Sequence, residues 1–287
     1  MRIGVVFPQT ELGGDAGAVR TYGQRVEELG YTHILAYDHV VGADPEVHQG
    51  WAGPYDIDTT FHEPLVMFGY LAAVTTTVEL VTGVIILPQR QAVLVAKQAA
   101  EVDLLSAGRL RLGVGLGWNA VEYEALGEDF TNRGRRSAEQ VEVMRQLWAQ
   151  RSVTFQGRHH TITGAGLAPL PVQRPIPVWV GAASTRGLER AGRIGDGWFP
   201  MVGPGPRLDR ARSVVEGAAV AAGRDPSVLG MEGQVTWSGD RDRMAKELAA
   251  WAAGGASHVA VNTMGAGLTT VDEHLAVLES VAADLTG

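Results

Sequence analysis

Strand-like and helix-like segments alternate along the whole chain, and this alternation restricts the possible folds more than any other feature of the sequence. Parallel strands need long connections, usually helices, so the alternation favours a parallel sheet with crossover helices. Strands are predicted at Arg2–Phe7, His33–Tyr37, Val78–Leu87, Arg109–Val114, Pro177–Val180, Gly197–Pro200, Gly230–Trp237 and His258–Thr263. Helices are predicted at Gly17–Leu29, Pro64–Thr75, Ala92–Leu105, Arg136–Trp148, Thr185–Arg193, Leu208–Ala222, Arg241–Ala253 and Val271–Leu285. Eight such pairs in 287 residues predict a closed (β/α)8 TIM barrel that forms one domain over residues 1–287.

Two connections between predicted elements are longer than a turn requires. Val40–His62 follows the second strand and is rich in glycine, proline, aspartate and aromatic residues, and Ser152–Arg174 precedes the fifth strand. Long insertions in a compact domain commonly serve as lids or binding loops. We therefore expect functional insertion loops after strand 2 and before strand 5.

The third predicted strand is interrupted at its centre by Thr82-Gly83 and is stopped by Pro88. Its continuous apolar run suits a strand that is covered on both faces. A glycine inside such a strand often marks a bulge or a close approach of another group. Two interpretations remain, a platform for a flat ligand and a kinked core strand, and this segment alone favours the core strand.

Composition argues against several classes of partner. The formal net charge is −8 and no run of lysine or arginine occurs, which disfavours nucleic acid. No apolar run approaches the roughly 20 residues of a membrane span, and the N-terminal segment lacks the features of a signal peptide. The absence of cysteine excludes disulfides, a thiolate nucleophile and a cysteine zinc site. We expect a cytoplasmic protein.

Asp38-His39 lies at the end of the second predicted strand, where barrel proteins of this type place their chemistry. A histidine that titrates near neutral pH can exchange a proton with a substrate. A purely structural pair is the alternative, and the dipeptide alone favours it. A metal site formed by His39, His48 and His62 is conceivable, but no ligand spacing supports it.

Gly181-Ala182-Ala183-Ser184-Thr185 joins the fifth strand to a helix that carries Arg186 and Arg190 in its first turns. Free backbone N–H groups, a hydroxyl group and the positive end of a helix meet there, which is anion-binding chemistry. Alternatively, Ser184 only caps the helix. The two roles are compatible, and we weigh them equally.

The segment from Gly115 to Ala120 fits the pattern G-x-G-x-x-G/A directly after the fourth strand. A Rossmann dinucleotide site is nevertheless rejected, because the motif is not in the first β/α unit and no second strand carrying an acid follows it. The glycines instead suit close packing between strand and helix. Asn119 can cap the next helix or hydrogen-bond a ligand.

The seven tryptophans fall into two groups. Trp148, Trp179 and Trp251 occupy apolar positions of predicted elements and are expected in the core. The others lie in loops or at strand ends, where flat side chains can wall a pocket. This second group comprises Trp51, Trp118, Trp198 and Trp237.

Several segments, taken in order along nearly the whole chain, resemble the bacterial luciferase-like family, in its branch of F420-dependent oxidoreductases. The segments are Thr82–Arg90, Ala96–Asn119, Glu122–Gly127 and Pro175–Gly181, followed by Gly195–Trp198. The resemblance implies a (β/α)8 barrel, commonly homodimeric, that binds a flavin or deazaflavin at the carboxyl-terminal mouth. It implies hydride transfer between coenzyme F420 and a small organic substrate. The alternatives are an FMN-dependent monooxygenase that uses reduced flavin and O2, and a non-catalytic flavin-binding protein.

The resemblance also implies roles for individual residues. A non-prolyl cis peptide beneath the cofactor ring corresponds to Gly83–Val84. Asp38 and His39 match an Asp-His pair beside the ring, with His39 as the proton donor or acceptor. Gly181 and Ala182 lead into the phosphate-binding loop, which corresponds to Ala183, Ser184 and Thr185, and Asn119 is a further cofactor-binding candidate.

One position departs from the family pattern. Sugar-phosphate dehydrogenases of the family carry an acidic residue directly after the third glycine of the strand-four loop, whereas this chain has Trp118. The departure disfavours oxidation of glucose 6-phosphate by the same acid–base pair.

Overall fold

Parallel strands close into a barrel in the computed structural model, which describes the backbone of residues 1–286 and the side chains of residues 1–283. The barrel strands are β1 Arg2–Val6, β2 His33–Ala36, β3 Glu79–Thr82, β4 Ile85–Ile86, β5 Leu110–Gly115, β8 Val178–Ala182, β9 Gly197–Pro200, β10 Gly230–Thr236 and β11 His258–Asn262. Strand β3 pairs in parallel with both β2 and β5, which closes the sheet. Because β3 and β4 are two halves of one barrel strand, the barrel has the eight strands predicted, and the (β/α)8 fold is confirmed.

Helices surround the barrel, and each of the eight predicted helices is present. The helices are α1 Ala16–Glu28, α2 Pro64–Val74, α3 Ala92–Leu105, α4 Ala120–Ala125, α5 Arg133–Ala149, α6 Thr185–Ile194, α7 Pro206–Ala221, α8 Arg241–Ala253 and α9 Val271–Thr286. Side-chain caps define several N-termini: Asp15 accepts from the amide of Gly17, and Asp240 from that of Arg243. Helix α4 was not predicted, because its six residues are too few to show helical periodicity.

A buried ionic network fills the barrel at the amino-terminal ends of its strands. The Glu232 carboxylate contacts Nε2 of His33 at 2.8 Å and Nη1 of Arg111 at 2.5 Å. The Arg111 guanidinium also lies 4.2 Å from the ring centroid of Trp179. Burial acts to raise the pKa of Glu232, but His33 and Arg111 outweigh it and lower the pKa to about 2. This end of a barrel serves stability, whereas the opposite end carries the chemistry.

The two insertions differ in structure. Residues 40–62 contain no strand or helix, whereas the second insertion folds into an antiparallel hairpin of β6 Val153–Gln156 and β7 Thr161–Ala165. The turn of the hairpin is attached to α5, because the Glu139 carboxylate accepts hydrogen bonds from the amides of Arg158, His159 and His160. The hairpin was not predicted, since each strand shows only four or five residues of alternation.

None of the helices within the described part of the chain has both the length and the apolar character required to cross a lipid bilayer.

Candidate functional site

The third barrel strand breaks at the carboxyl-terminal mouth, where the Gly83–Val84 peptide bond is cis, as the resemblance implied. Hydrogen bonds fix both sides of the break: the Gly83 amide donates to Ala36 O at 2.7 Å, and Thr82 Oγ1 donates to Gly113 O at 2.7 Å. A Cβ atom on Gly83 would lie 2.3 Å from Cδ2 of Leu35. Packing alone therefore requires glycine at this position.

Val84 lies against glycines of β5 and β8. A Cβ atom on Gly115 would lie 2.4 Å from Val84 Cγ2, and one on Gly181 would lie 3.2 Å from Val84 Cγ1. Gly117 has a positive φ of 66°, and a Cβ there would lie 2.7 Å from Cγ2 of Ile86. The glycines of the strand-four loop thus make room for Val84 and Ile86 of the third barrel strand, so their close packing is between strands and not between strand and helix as predicted.

Asp38 holds the backbone that follows the break. Its Oδ2 accepts a hydrogen bond from the Ile86 amide at 2.9 Å, and its Oδ1 contacts Nη2 of Arg90 at 2.7 Å. Burial raises the pKa of Asp38 above its ordinary value, and Arg90 and the Ile86 amide only partly offset that effect. Arg90 also contacts Glu63 at 2.8 Å. Both carboxylate oxygens of Asp38 are thus engaged by the protein.

His39 is paired with a buried carboxylate to which the sequence alone assigned no role. Nδ1 of His39 lies 3.3 Å from Oε1 of Glu122, which stands in α4. Glu122 accepts hydrogen bonds from the amides of Val40 and Val41 through Oε1, and from Gln89 Nε2 through Oε2. Burial acts to raise the pKa of Glu122, but His39, the Val40 amide and Gln89 lower it below its ordinary value.

Aromatic side chains surround the His39 imidazole. Its ring centroid lies 5.0 Å from that of Tyr55, 4.9 Å from that of Phe61 and 5.7 Å from that of Trp118. Tyr55 and Phe61 belong to the first insertion, so this loop covers the histidine. Neither residue was singled out from the sequence, where the aromatic content of the loop was the available signal.

Trp118 and Trp51 extend this aromatic wall outward. Their ring centroids lie 5.7 Å apart, and both line a cleft of about 500 Å³ at the tip of the first insertion. The pocket-wall prediction for Trp198 is wrong, because its side chain is 2% exposed and packs in the core. Trp237 is half-buried beside the core. Trp148, Trp179 and Trp251 are buried, as predicted.

Polar side chains inside the barrel mouth were given no individual role from the sequence. Nε2 of Gln234 donates to the hydroxyl group of Tyr37 at 2.5 Å, and Nε2 of Gln9 donates to Tyr37 O at 3.1 Å. Oε1 of Gln9 is buried without a hydrogen-bond partner among the described residues. Gln9 was visible only as a residue that follows a strand, and the sequence does not tell which face of a strand Tyr37 and Gln234 occupy.

Asn119 caps α4, since its Oδ1 accepts from the amides of Val121 and Glu122 at 3.0 and 3.3 Å. Its Nδ2 is buried and has no partner in the described part of the structure. Capping therefore uses one end of the side-chain amide. The other end remains a donor for a ligand.

The segment after the fifth barrel strand forms the predicted helix cap. Gly181 and Ala182 end β8, and Ser184 Oγ accepts from the Gly187 amide at 3.2 Å at the start of α6. Ala183, Ser184 and Thr185 are exposed. Amides in the first turn of a helix have no intrahelical acceptor, so this exposed terminus can receive an anion.

Within the described residues, no group of three or more histidine or carboxylate side chains is arranged to bind a metal ion. His48 instead packs near Trp51, and His62 near Phe7.

The fold and this mouth define a (β/α)8-barrel protein with an aromatic, partly polar site at the carboxyl ends of its strands. The chain belongs to the luciferase-like monooxygenase family, whose sequence profile matches residues 1–282. The predicted family is thereby confirmed. Members of this family are oxidoreductases or monooxygenases, so the chain belongs to a family of enzymes that act on small molecules.

Relatives of this chain include an F420-dependent dehydrogenase and a monooxygenase. The chain is 30% identical over 227 residues to the F420-dependent glucose-6-phosphate dehydrogenase of Amycolatopsis mediterranei, covering 77% of this chain and 65% of the relative. It is 32% identical over 188 residues to a pyrimidine monooxygenase of Allorhizobium ampelinum, covering 62% and 50% of the two chains. The solved structure of an F420-dependent secondary alcohol dehydrogenase superposes with a TM-score of 0.80 at 19% identity, covering 98% of this chain and 97% of that one. The last comparison supports the fold.

Proposed function

We propose that this protein is an F420-dependent oxidoreductase that transfers a hydride between coenzyme F420 and a small organic substrate. The observation that carries the proposal is the convergence, at one barrel mouth, of the His39–Glu122 pair and the broken third strand. The kinship with a dehydrogenase named as F420-dependent supports the choice of cofactor. The proposal includes a single cytoplasmic domain that forms a homodimer.

The residues of the mouth fit a flat, polar-edged cofactor. Gly83 and Val84 would provide a surface for the tricyclic ring, and Gly115 and Gly181 leave the room that the Val84 side chain occupies. Nδ2 of Asn119 and Oε1 of Gln9 are buried polar atoms without partners among the described residues, and such atoms call for a ligand or water.

The segment after β8 would hold the phosphate of the cofactor. Gly181 and Ala182 lead the chain to the mouth, and Ala183, Ser184 and Thr185 present exposed backbone at the start of α6. An anion at this position gains from the helix dipole as well as from hydrogen bonds. Asp38 contributes indirectly, because it holds the backbone of Ile86 beside the ring surface.

His39 is the proposed proton donor or acceptor. When bound, F420 supplies a ring carbon that accepts or gives the hydride. Oxidation of an alcohol, for example, releases a proton from oxygen as the hydride leaves carbon, and an imidazole can take that proton. The Glu122 carboxylate engages Nδ1 at 3.3 Å, which leaves Nε2 for exchange with the substrate. The rings of Tyr55, Phe61 and Trp118 exclude water from the imidazole.

The second candidate is an FMN-dependent monooxygenase that uses reduced flavin and O2. The family and the pyrimidine monooxygenase relative favour this class. A third possibility is a flavin-binding protein without turnover. The three differ in cofactor and in oxygen chemistry, since a reduced deazaflavin does not form the hydroperoxide on which the monooxygenases depend.

Parallel titrations of the apo-protein with F420 and with FMN test the proposal. The expected result is tight F420 binding and weak FMN binding, followed by anaerobic reduction or oxidation of F420 with members of an alcohol and enone panel. Preference for FMN together with O2 consumption would establish the monooxygenase. Binding without redox change across the panel would favour the non-catalytic protein, and binding of neither cofactor would overturn the assignment.

A further inference from the structure

A cleft of about 500 Å³ separates the beginning of α5 from α6, and arginines line it. Arg135 comes from α5, and Arg186, Arg190 and Arg193 come from α6. Glu189 is the one acidic residue among the lining residues. The spacing of the three α6 arginines, at i, i+4 and i+7, places them on one face of the helix.

These four arginines have no anionic partner among the side chains that the structure describes. Among the residues whose side chains are described, none of the four forms an ion pair, although nearby arginines do. Arg136 contacts Glu128 at 3.0 Å, and Arg145 contacts Asp196 at 2.7 Å. The chain carries 32 acidic and 24 basic residues, so acidic partners are not scarce. Because these arginines stay unpaired in a protein rich in acidic residues, we expect them to bind an anion that the protein itself does not supply.

Arg190 provides the strongest evidence that the cleft binds an anion. Its side chain is half-buried, and its Nε atom is buried without a hydrogen-bond partner among the described residues. One terminal nitrogen lies against the α5 backbone, where a Cβ on Gly134 would be 2.9 Å away. Burial lowers the pKa of Arg190, and the charge of Arg193 lowers it further. A buried guanidinium that faces like charge is costly unless an anion neutralises it.

The position of the cleft indicates what that anion is. Helix α6 begins at Thr185, the last residue of the proposed phosphate loop, and Arg186 is the next residue along the chain. A ligand whose phosphate lies at Ser184 and Thr185 can therefore continue along the exposed face of α6. Planar guanidinium groups bind carboxylates and phosphates through two parallel hydrogen bonds. A row of arginines therefore suits a ligand that carries several such anionic groups.

We propose that this cleft, lined by Arg135, Arg186, Arg190 and Arg193, binds the carboxylate-bearing side chain of the cofactor beyond its phosphate. The inference rests on the proposed function. F420 carries a chain of glutamates after its phosphodiester, whereas FMN ends at its phosphate. The cleft would therefore select the deazaflavin over the flavin by its tail. The alternative ligand is a free polyanion, which would present similar anionic groups to these arginines without the cofactor.

The test compares the wild-type protein with R186Q/R193Q and with R190Q. The control is R210Q, which removes an exposed arginine of α7 that forms no ion pair among the described residues. Dissociation constants are measured by fluorescence for F420 with several glutamates and for FO, the same ring without phosphate or glutamates. Tripolyphosphate serves as the free-anion probe, with binding followed by calorimetry. Circular dichroism verifies that each variant is folded.

We expect R186Q/R193Q to weaken F420 binding about tenfold, because two charge-assisted contacts at exposed sites are lost. Binding of FO should not change, and R210Q should behave like the wild type. F420 affinity should also fall more steeply with salt for the wild type than for R186Q/R193Q. R190Q removes the half-buried charge, so we expect this variant also to bind F420 more weakly than the wild type.

Unchanged F420 affinity in both cleft variants would overturn the proposal of a tail site. Tripolyphosphate binding that is lost in those variants, with F420 affinity retained, would assign the cleft to a free polyanion and overturn the cofactor-tail assignment. If the wild-type protein binds neither F420 nor FO, the proposed function fails, and tripolyphosphate binding then decides separately whether the cleft is an anion site.

Discussion

The Glu122 carboxylate lies 3.3 Å from Nδ1 of His39 and at the same time accepts the amide hydrogens of Val40 and Val41. One buried side chain thus holds both the imidazole and the backbone from which the imidazole extends. Because Glu122 is 1% exposed and belongs to another element, α4, its carboxylate links the second barrel strand to the fourth strand–helix unit. This link makes Glu122 a positioning residue.

Replacing Glu122 by Gln should impair turnover more than cofactor binding. A glutamine keeps one accepting oxygen but replaces the other by an NH2 donor, so either the Val40 amide or Gln89 Nε2 would face a donor, at a cost of about 1–3 kcal/mol. The matched control is E124Q, on the exposed side of the same helix. We expect kcat to fall at least tenfold and its pH profile to shift, with cofactor Kd within about threefold of the wild type. An unchanged pH profile would assign Glu122 a purely structural role.

Replacing His39 by Ala should slow turnover and leave cofactor affinity nearly intact. A positioned acid or base contributes about 10²- to 10⁴-fold to a rate, and the loss should have that size. H48A removes a histidine from the first insertion and is the control. Steady-state kinetics and cofactor titration on both variants provide the measurement. Turnover at the wild-type rate would remove His39 from the reaction.

Gly115→Ala should disturb the ring surface through Val84. The added methyl group would lie 2.4 Å from Val84 Cγ2, and such overpacking costs about 1–3 kcal/mol. We expect weaker cofactor binding and a lower Tm. The double variant G115A/V84A should recover both, because the smaller side chain removes the overlap. G69A, in α2 with open space around the position, should leave both unchanged. Failure of V84A to rescue would refute the contact as the cause.

Acidification should destabilise the protein through His258. Burial, followed by the Arg111 charge, lowers the pKa of His258 to about 3 in the folded state, whereas an unfolded histidine titrates near 6.5. The unfolded state therefore binds the proton first, and the free energy of unfolding should fall as the pH drops from about 6.5 towards 3. Urea unfolding at pH 7.5 and pH 5 should show a smaller difference for H258Q than for the wild type. Equal differences would contradict this origin of the acid sensitivity.

Much of the fold could be predicted from the sequence because its strands and helices are strongly periodic. The break at Gly83 was visible for the same reason, since a glycine inside an apolar run is conspicuous. The aromatic wall was predicted only in part: Trp118 lies at the mouth, but Trp198 points into the core. A strand end does not show the side to which its next side chain turns, so the prediction for Trp198 failed.

The partners of the predicted residues could not be inferred. Glu122 contacts His39 across 83 residues of sequence, and Arg90 contacts Asp38 across 52. Such contacts depend on where two loops meet after the barrel closes, and no local sequence pattern predicts which residues come together. The same holds for the basic cleft, because Arg135 joins the α6 arginines only when α5 packs beside α6.

The attachment of the first insertion to α4 has a consequence for how such a protein can diversify. Glu122 binds the loop through the main-chain amides of Val40 and Val41, which every residue type except proline can supply. The root of the loop is therefore held without regard to its side chains. Tip residues such as His48 and Trp51 are then free to change while the imidazole keeps its position. A library of grafted tips between residues 44 and 54 should accordingly yield folded proteins with altered substrate selection and a preserved reaction.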